Sequence, residues 1–260
     1  MCRLAAYRGA PVSLAALLYA PPHSLERQAY APREMVSGHV NVDGTGVAWW
    51  ETGEPEPLRY VSDRPPWSDP NLPDLAARLR GSPIIAVVRS QTPGMPAGAA
   101  AAHPFTSGRW AGAHNGYLNG FDAIKWTLLE RVAEQLQAQV ETLSDSLLLF
   151  LMAVSRLHEG GTTTLAEAAA GAVEEAGRIC AAAGAAASLN LVLGDGSEVV
   201  ALRSARGVAA NSLYWIEGGG RWPEGALVAS EPLDDDRGWS EVPVEHLVRL
   251  AADGVQVSGL

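Results

Sequence analysis

The pattern of apolar and polar positions changes character twice along the chain. Residues 2–8 predict a strand, followed by a helix around 13–19. GVAWWE (46–51) and LRYVS (58–62) predict paired strands joined by the turn-rich TGEPEP. LPDLAARLR (72–80) carries apolar residues at helical spacing. PIIAVVR (83–89) is an almost wholly apolar run that predicts a buried strand with Arg89 at its mouth. RWAGAHNG (109–116) predicts a short strand running into an Asn115-Gly116 turn. The period then lengthens. Helices are expected at about 121–139 and 144–158, and a third over 162–184 with Thr163 or Thr164 as its cap. From 188 the strand pattern returns, with SLNLVLGDGSEVVALRS (188–204) as a hairpin turning at Asp195-Gly196, then LYWIE (213–217) and ALVASE (226–231).

Hairpin turns outnumber β-α-β crossovers, and the helices cluster between two groups of strands. The fold class expected is therefore α+β, with stacked antiparallel sheets and helices outside them. No linker or internal repeat divides the chain, so residues 1–260 are read as one domain, large enough to bury a proper core.

Composition narrows the function classes. Lys and Arg total 19 against 29 Asp and Glu, a net charge of −10, which argues against broad binding of a nucleic-acid backbone. No apolar run approaches the roughly 18 residues of a membrane span. VSLAALLYA (12–20) has the look of a signal-peptide core, but it is brief and Pro21-Pro22 follow, so it is read as a short helix. Two cysteines, Cys2 and Cys180, make neither a disulfide framework nor a zinc pair, and a reducing cytoplasm is the default. Neither a metal nor a cofactor is expected.

The candidate chemistry starts at MCRLAAYRG. Removal of Met1 would leave Cys2 as the mature N-terminus, with a thiol and an α-amine on one residue; the two group types both titrate near neutral pH. Otherwise Cys2 is a small buried residue of the first strand. In VRSQTPG (88–94), Arg89 offers a fork for a carboxylate and Thr92 a hydroxyl, or Arg89 snorkels from a strand end. In HPFTSGRWAGAHNGYLNG (103–120), the Asn115 amide and the Gly116 N–H lie side by side, as a developing oxyanion requires, and His103 and His114 are candidate polar contacts; structural roles are the alternative for each. Asp145, in TLSDSLLLF, caps a helix or pairs with an ammonium group. Asp43, in NVDGTGVAWW, shapes a tight turn or supports the site.

An N-terminal thiol, an Arg, an Asn-Gly pair and an Asp in that order resemble the class II glutamine amidotransferases, a branch of the N-terminal nucleophile hydrolases. PPHS, QAYAPRE, PPWSDPNL, HPFTSGRW, HNGYLNGF and ASEPLDDDRGW extend the resemblance over residues 2 to about 240. They are most similar to the amidohydrolases of ergothioneine biosynthesis, which remove glutamate from γ-glutamyl-hercynylcysteine sulfoxide.

The resemblance implies a four-layer αββα sandwich. It makes Cys2 the nucleophile with its α-amine as base, and Asn115 and Gly116 the oxyanion hole. Arg89 and Thr92 would hold the substrate α-carboxylate and Asp145 its α-ammonium, with His103 as a further substrate contact. A small-molecule γ-glutamyl substrate follows, or glutamine if the chain supplies ammonia to a partner enzyme. A trimethylated leaving group would suit an aromatic contact, for which Trp49, Trp50 and Trp67 are candidates. Two departures from the family pattern, Thr45 in DGTG in place of an aromatic and Leu147 in place of an acid, are expected on the leaving-group side.

Overall fold

Alternate residues of the first strand set the layering. A computed structural model describes residues 2–36, 38–92, 94–159 and 161–260. In it Cys2, Leu4 and Ala6 face one apolar cluster, and Ala5 and Tyr7 face another on the opposite side.

In chain order the elements are β1 (Arg3–Gly9), β2 (Val12–Ser13), α1 (Ala15–Leu18), α2 (Leu25–Tyr30), β3 (Thr45–Trp49), β4 (Leu58–Ser62), α3 (Leu72–Arg78), β5 (Arg80–Gly81) and β6 (Ile84–Val88). The middle of the chain holds β7 (Phe105–Ser107), β8 (Trp110–Leu118), α4 (Phe121–Leu129), α5 (Glu134–Gln137), α6 (Asp145–Glu159) and α7 (Leu165–Ala182). The last part holds β9 (Ala187–Gly194), β10 (Val199–Arg203), β11 (Ala205–Arg206), β12 (Tyr214–Glu217), β13 (Gly225–Ala229), β14 (Ser240–Glu241), β15 (His246–Ala251) and β16 (Gly254–Gly259).

One sheet runs β14-β12-β13-β1-β6-β3-β4 and the other β16-β15-β10-β9-β8-β7, with β11 also on β9; the pairings within both are antiparallel. Leu4, Ile85, Val87, Ala113, Val192 and Val228 pack between the sheets. Leu17, Leu25 and Leu72 of the short helices cover the outer face of the first sheet, and the mainly apolar α6 and α7 cover that of the second. The result is the αββα sandwich expected. α7 begins at a capping box in which Thr164 accepts from the Glu167 N–H and Glu167 accepts from the Thr164 N–H. No helix of the described residues is long and apolar enough to cross a membrane.

The structure corrects two expectations and adds one hairpin. Asn115 and Gly116 do not form a turn; they lie inside β8, paired with Asn190 and Leu189 of β9. The helix expected at 121–139 is broken into α4 and α5, because Ser155 Oγ of α6 takes the Ala133 N–H at 2.9 Å, where a continuous helix would return it to its own backbone. The β15–β16 hairpin is an addition beyond the strands read from the sequence.

Candidate active site

The site lies where β1, β6 and β8 end together. In the first sheet, Arg3 pairs with Val88 and Val88 with Thr45, so Cys2, Arg89 and Gly44 share one rim. Gly44 has φ +143°, a conformation open to glycine, and its carbonyl accepts the Arg89 N–H at 2.8 Å. Asp43 completes the clasp: its N–H donates to Arg89 O (3.0 Å) and its Oδ2 accepts the Gln91 N–H (2.7 Å).

Across the sandwich, β7 pairs with β8 only as far as Gly112, so among the described residues the end of β8 has no strand on that edge. The Leu118 N–H leaves this edge and donates to Asp145 Oδ2 at 3.1 Å. Amides two apart in a strand point the same way, so the Gly116 N–H projects from the same open edge. Gly116 carries no side chain because a Cβ there would fall on the Ser188 carbonyl oxygen and His114 Nε2.

These ends enclose a cavity of about 20 Å³, lined by Cys2, Arg89, Thr92, His103, Gly116 and Asp145 together with Ser90, Met95, His114 and Ser146; that is room for roughly one water. Six of the seven residues assigned catalytic or substrate-binding roles from the sequence thus share one space. The seventh, Asn115, is buried beside it on β8, its Nδ2 donating to Ser230 Oγ at 3.1 Å. Cys2 is 7% exposed, and its Sγ points to Ser90 O at 3.8 Å. Met1 lies outside the described residues.

The family model for "Glutamine amidotransferases class-II" matches residues 21–216. The chain belongs to the class II glutamine amidotransferase family. It is 34% identical over 260 residues to the gamma-glutamyl-hercynylcysteine sulfoxide hydrolase of Mycolicibacterium smegmatis, covering 100% of both chains. The protein of the same name from Mycobacterium tuberculosis H37Rv is 33% identical, over 100% of this chain and 97% of its own. The "Probable glutamine amidotransferase DUG3" of Saccharomyces cerevisiae is 28% identical, over 96% of this chain and 82% of that one. Among solved structures, a glutamine aminotransferase class-II domain protein from Silicibacter pomeroyi matches with TM-score 0.74 and 26% identity, over 100% of this chain and 99% of that one. The glutamine phosphoribosylpyrophosphate amidotransferase of B. subtilis shares the fold at TM-score 0.67 and 15% identity, over 99% of this chain and 49% of that one.

The charged groups lining this cavity of the class II amidotransferase family member are already engaged with the protein. Arg89 donates to Pro96 O at 2.6 Å and to Asp43 O at 3.5 Å. Asp145 Oδ1 accepts from Ser146 N (2.7 Å) and Oδ2 from Leu118 N, while Ser146 Oγ lies 3.1 Å from Oδ1. A carboxylate has about four acceptor positions, so one on Oδ2 stays open for a donor.

His114 is buried, with Nε2 at 2.9 Å from Ser188 O and Nδ1 at 2.9 Å from Ser146 Oγ. A carbonyl only accepts, so Nε2 carries the ring proton and Nδ1 takes the Ser146 hydroxyl as its donor. Burial holds His114 below its ordinary pKa, opposed by Asp145 and the Ser188 contact. Burial holds His103 well below its own, assisted by His114, Arg89 and Arg59. His103 Nδ1 has no hydrogen-bond partner among the described residues, and the ring stacks edge-on against Phe105 with centroids 4.7 Å apart. Arg59 brings His103 here by donating to Pro104 O (2.7 Å) and Ala102 O (2.9 Å). Gly46 of β3 lets that segment cross the sheet, since a Cβ would strike His103 O.

The aromatic candidates divide. Trp49 and Trp50 are buried in the two clusters flanking the first sheet and are unsuited to a ligand cage. Trp67 is 45% exposed and meets Tyr30 edge-on at 5.4 Å. Of the two departures, Thr45 donates to Arg64 O at 2.8 Å, and Leu147 faces a neighbouring cavity beside Phe105 and Arg59. Sequence reasoning missed Ser230, Asn211 and Ser146 as parts of the site. Ser230 sits in the quoted ASEPLDDDRGW, whereas no local signal marks Asn211.

Among the described residues, no group of three or more His, Cys, Asp or Glu is placed to hold a metal ion.

Proposed function

We propose that this class II amidotransferase family member is an amidohydrolase that cleaves a γ-glutamyl amide through a thioester on Cys2. Its first candidate substrate is γ-glutamyl-hercynylcysteine sulfoxide, giving glutamate and hercynylcysteine sulfoxide. The observation that carries this reading is the single cavity to which widely separated stretches bring Cys2, Arg89, Thr92, Gly116 and Asp145. Full-length identity to hydrolases named for that substrate supports the choice of leaving group.

With Met1 removed, the α-amine of Cys2 takes the thiol proton through a water. The thiolate adds to the γ-carbonyl carbon, and the resulting oxyanion accepts from Asn115 Nδ2 and the Gly116 N–H. Arg89 and Thr92 hold the α-carboxylate, Asp145 holds the α-ammonium through its open Oδ2 position, and His103 is a further substrate contact. The amine of the leaving group departs with the proton held on the α-ammonium of Cys2, leaving a glutamyl thioester. Water adds to the thioester, its proton passes to the α-amine, and the thiol and glutamate are released. A reducing cytoplasm keeps the sulfur available as a thiol.

The test is incubation with γ-glutamyl-hercynylcysteine sulfoxide, glutamine and other γ-glutamyl compounds, with glutamate and ammonia both quantified. Turnover of the sulfoxide conjugate far above that of glutamine is expected. Preferential release of ammonia from glutamine would favour the second reading, a glutaminase subunit serving a partner enzyme, to which the 28% identity to the yeast protein points. No glutamate from any γ-glutamyl compound would end both readings.

A further inference from the structure

An oxyanion hole that uses an asparagine has a built-in ambiguity. The two ends of a carboxamide have the same shape, but only the Nδ2 end can donate. Two residues around Asn115 resolve the choice, starting from a group whose role is fixed. The Asn115 backbone carbonyl only accepts, so Asn211, which lies 3.0 Å from it, must present its Nδ2 there. The same Nδ2 is 3.5 Å from the side-chain oxygen of Asn115. Turning the Asn115 amide over would set nitrogen against nitrogen. The donor end of Asn115 is therefore sent the other way, where it meets Ser230 Oγ.

Ser230 stands on the sheet of the nucleophile. It follows β13, is fully buried, and pairs with Leu4: its N–H donates to Leu4 O at 2.9 Å, and its Oγ accepts the Leu4 N–H at 3.0 Å. Both acceptor positions of the hydroxyl are filled, one by the strand of Cys2 and the other by Asn115 of the opposite sheet. Asn190 anchors the other side, its Nδ2 donating to Asn211 O at 3.1 Å.

We infer that Ser230 and Asn211 are positioning residues for the oxyanion hole: Asn211 selects the donor orientation of the Asn115 amide, and Ser230 holds that amide in register with the nucleophile strand. The inference rests on Asn115 acting as an oxyanion donor, as set out above. The experiment measures kcat and KM for glutamate release, the rate of Cys2 alkylation by iodoacetamide, and the melting temperature. It does so in Ser230→Ala, Asn211→Ala and Asn115→Ala, and in each of the first two combined with Asn115→Ala.

Loss of one supporting hydrogen bond is expected to lower kcat about tenfold in each single variant. KM and the alkylation rate, which make no use of the oxyanion hole, should hold. The Asn115→Ala background should show no further loss, since there is no amide left to orient. Normal kcat in both single variants, beside an impaired Asn115→Ala enzyme, would overturn the inference and leave the active-site reading intact. A loss that persists undiminished in the Asn115→Ala background would also overturn it. Near-normal activity of Asn115→Ala itself would instead overturn the active-site reading. The two alanine variants remove opposite supports of one amide, so one folded variant suffices. If neither folds, the size-preserving Asn211→Asp, which as a carboxylate sets an acceptor against the Asn115 oxygens, is expected to show the same fall in kcat.

Discussion

The carboxylate of Asp145 accepts the backbone N–H of Leu118 at 3.1 Å, so the first residue of α6 and the last residue of β8 are tied at the open edge that carries Gly116. One side chain thus serves its own helix start, the strand end and the cavity. Asp145→Asn keeps the size but removes the charge that would hold an α-ammonium. A fall in kcat/KM of about a hundredfold is expected, carried mainly by KM, since hydrogen bonds to charged groups contribute about 1.5–3 kcal/mol. Steady-state kinetics on a γ-glutamyl substrate check this, and an unchanged KM would remove Asp145 from substrate binding.

Acid should loosen the fold before the carboxylates titrate. His103 and His114 are buried and held below their ordinary pKa. The unfolded chain therefore binds their protons first as pH falls. Stability from these rings is complete above about 6.5 and declines from there down to the lowered native values, by at most about 1.4 kcal/mol per pH unit per ring. Urea midpoints measured from pH 7.5 to 5 should fall, and His103→Asn should flatten the slope. A midpoint that does not change over this range would contradict the buried neutral assignment.

A second buried network should govern stability more sharply. Glu231 and Arg3 are both fully buried and 3.4 Å apart, and Glu231 also meets His23 Nε2 at 2.7 Å and the N–H groups of Arg33 and Glu34. Burial alone would raise the Glu231 carboxyl, but the His23 contact, these N–H donors and Arg3 outweigh it and leave it below the usual carboxylate range. Glu231→Ala strands the Arg3 guanidinium and should cost about 3–5 kcal/mol in chemical denaturation. A cost within 1 kcal/mol would show that the guanidinium finds other partners.

The proposed chemistry needs a free α-amine on Cys2. Intact-mass measurement of the purified chain should give the encoded mass less one methionine, and a chain that keeps Met1 should be inactive. Full activity in a Met1-bearing sample would remove the amine from the mechanism.

Much of this architecture is written in local pattern. The apolar run ending in Arg89, the Thr164 start of α7 and the hairpin at Asp195-Gly196 are each decided by residues a few positions apart. The misreadings came where distant partners override local preference. Asn115-Gly116 has the composition of a turn, but β9 draws it into a ladder, and the glycine is required by the Ser188 carbonyl of β9 and by the ring of His114, two residues back in its own strand. The break after α4 depends on Ser155 some twenty residues further on. Trp49 and Trp50 look alike to a sequence reader, and only the packing of two sheets shows that both are enclosed. The site residues were legible as types in order along the chain. Ser230 and Asn211 were not, because orienting an amide is a property of three dimensions.

The guanidinium of Arg89 rests on two neutral carbonyl oxygens, those of Pro96 and Asp43. The fork has five N–H donors, so these two contacts leave others for an incoming acceptor. Ionised acceptors bind such a fork roughly twice as strongly as neutral ones, so under the proposed role of Arg89 a free carboxylate is held more tightly than an ester or amide at the same position. In the proposed reaction this preference sorts arrivals before any bond is broken: glutamyl groups ending in an ionised acid are favoured over those embedded in a longer peptide through their α-carbonyl.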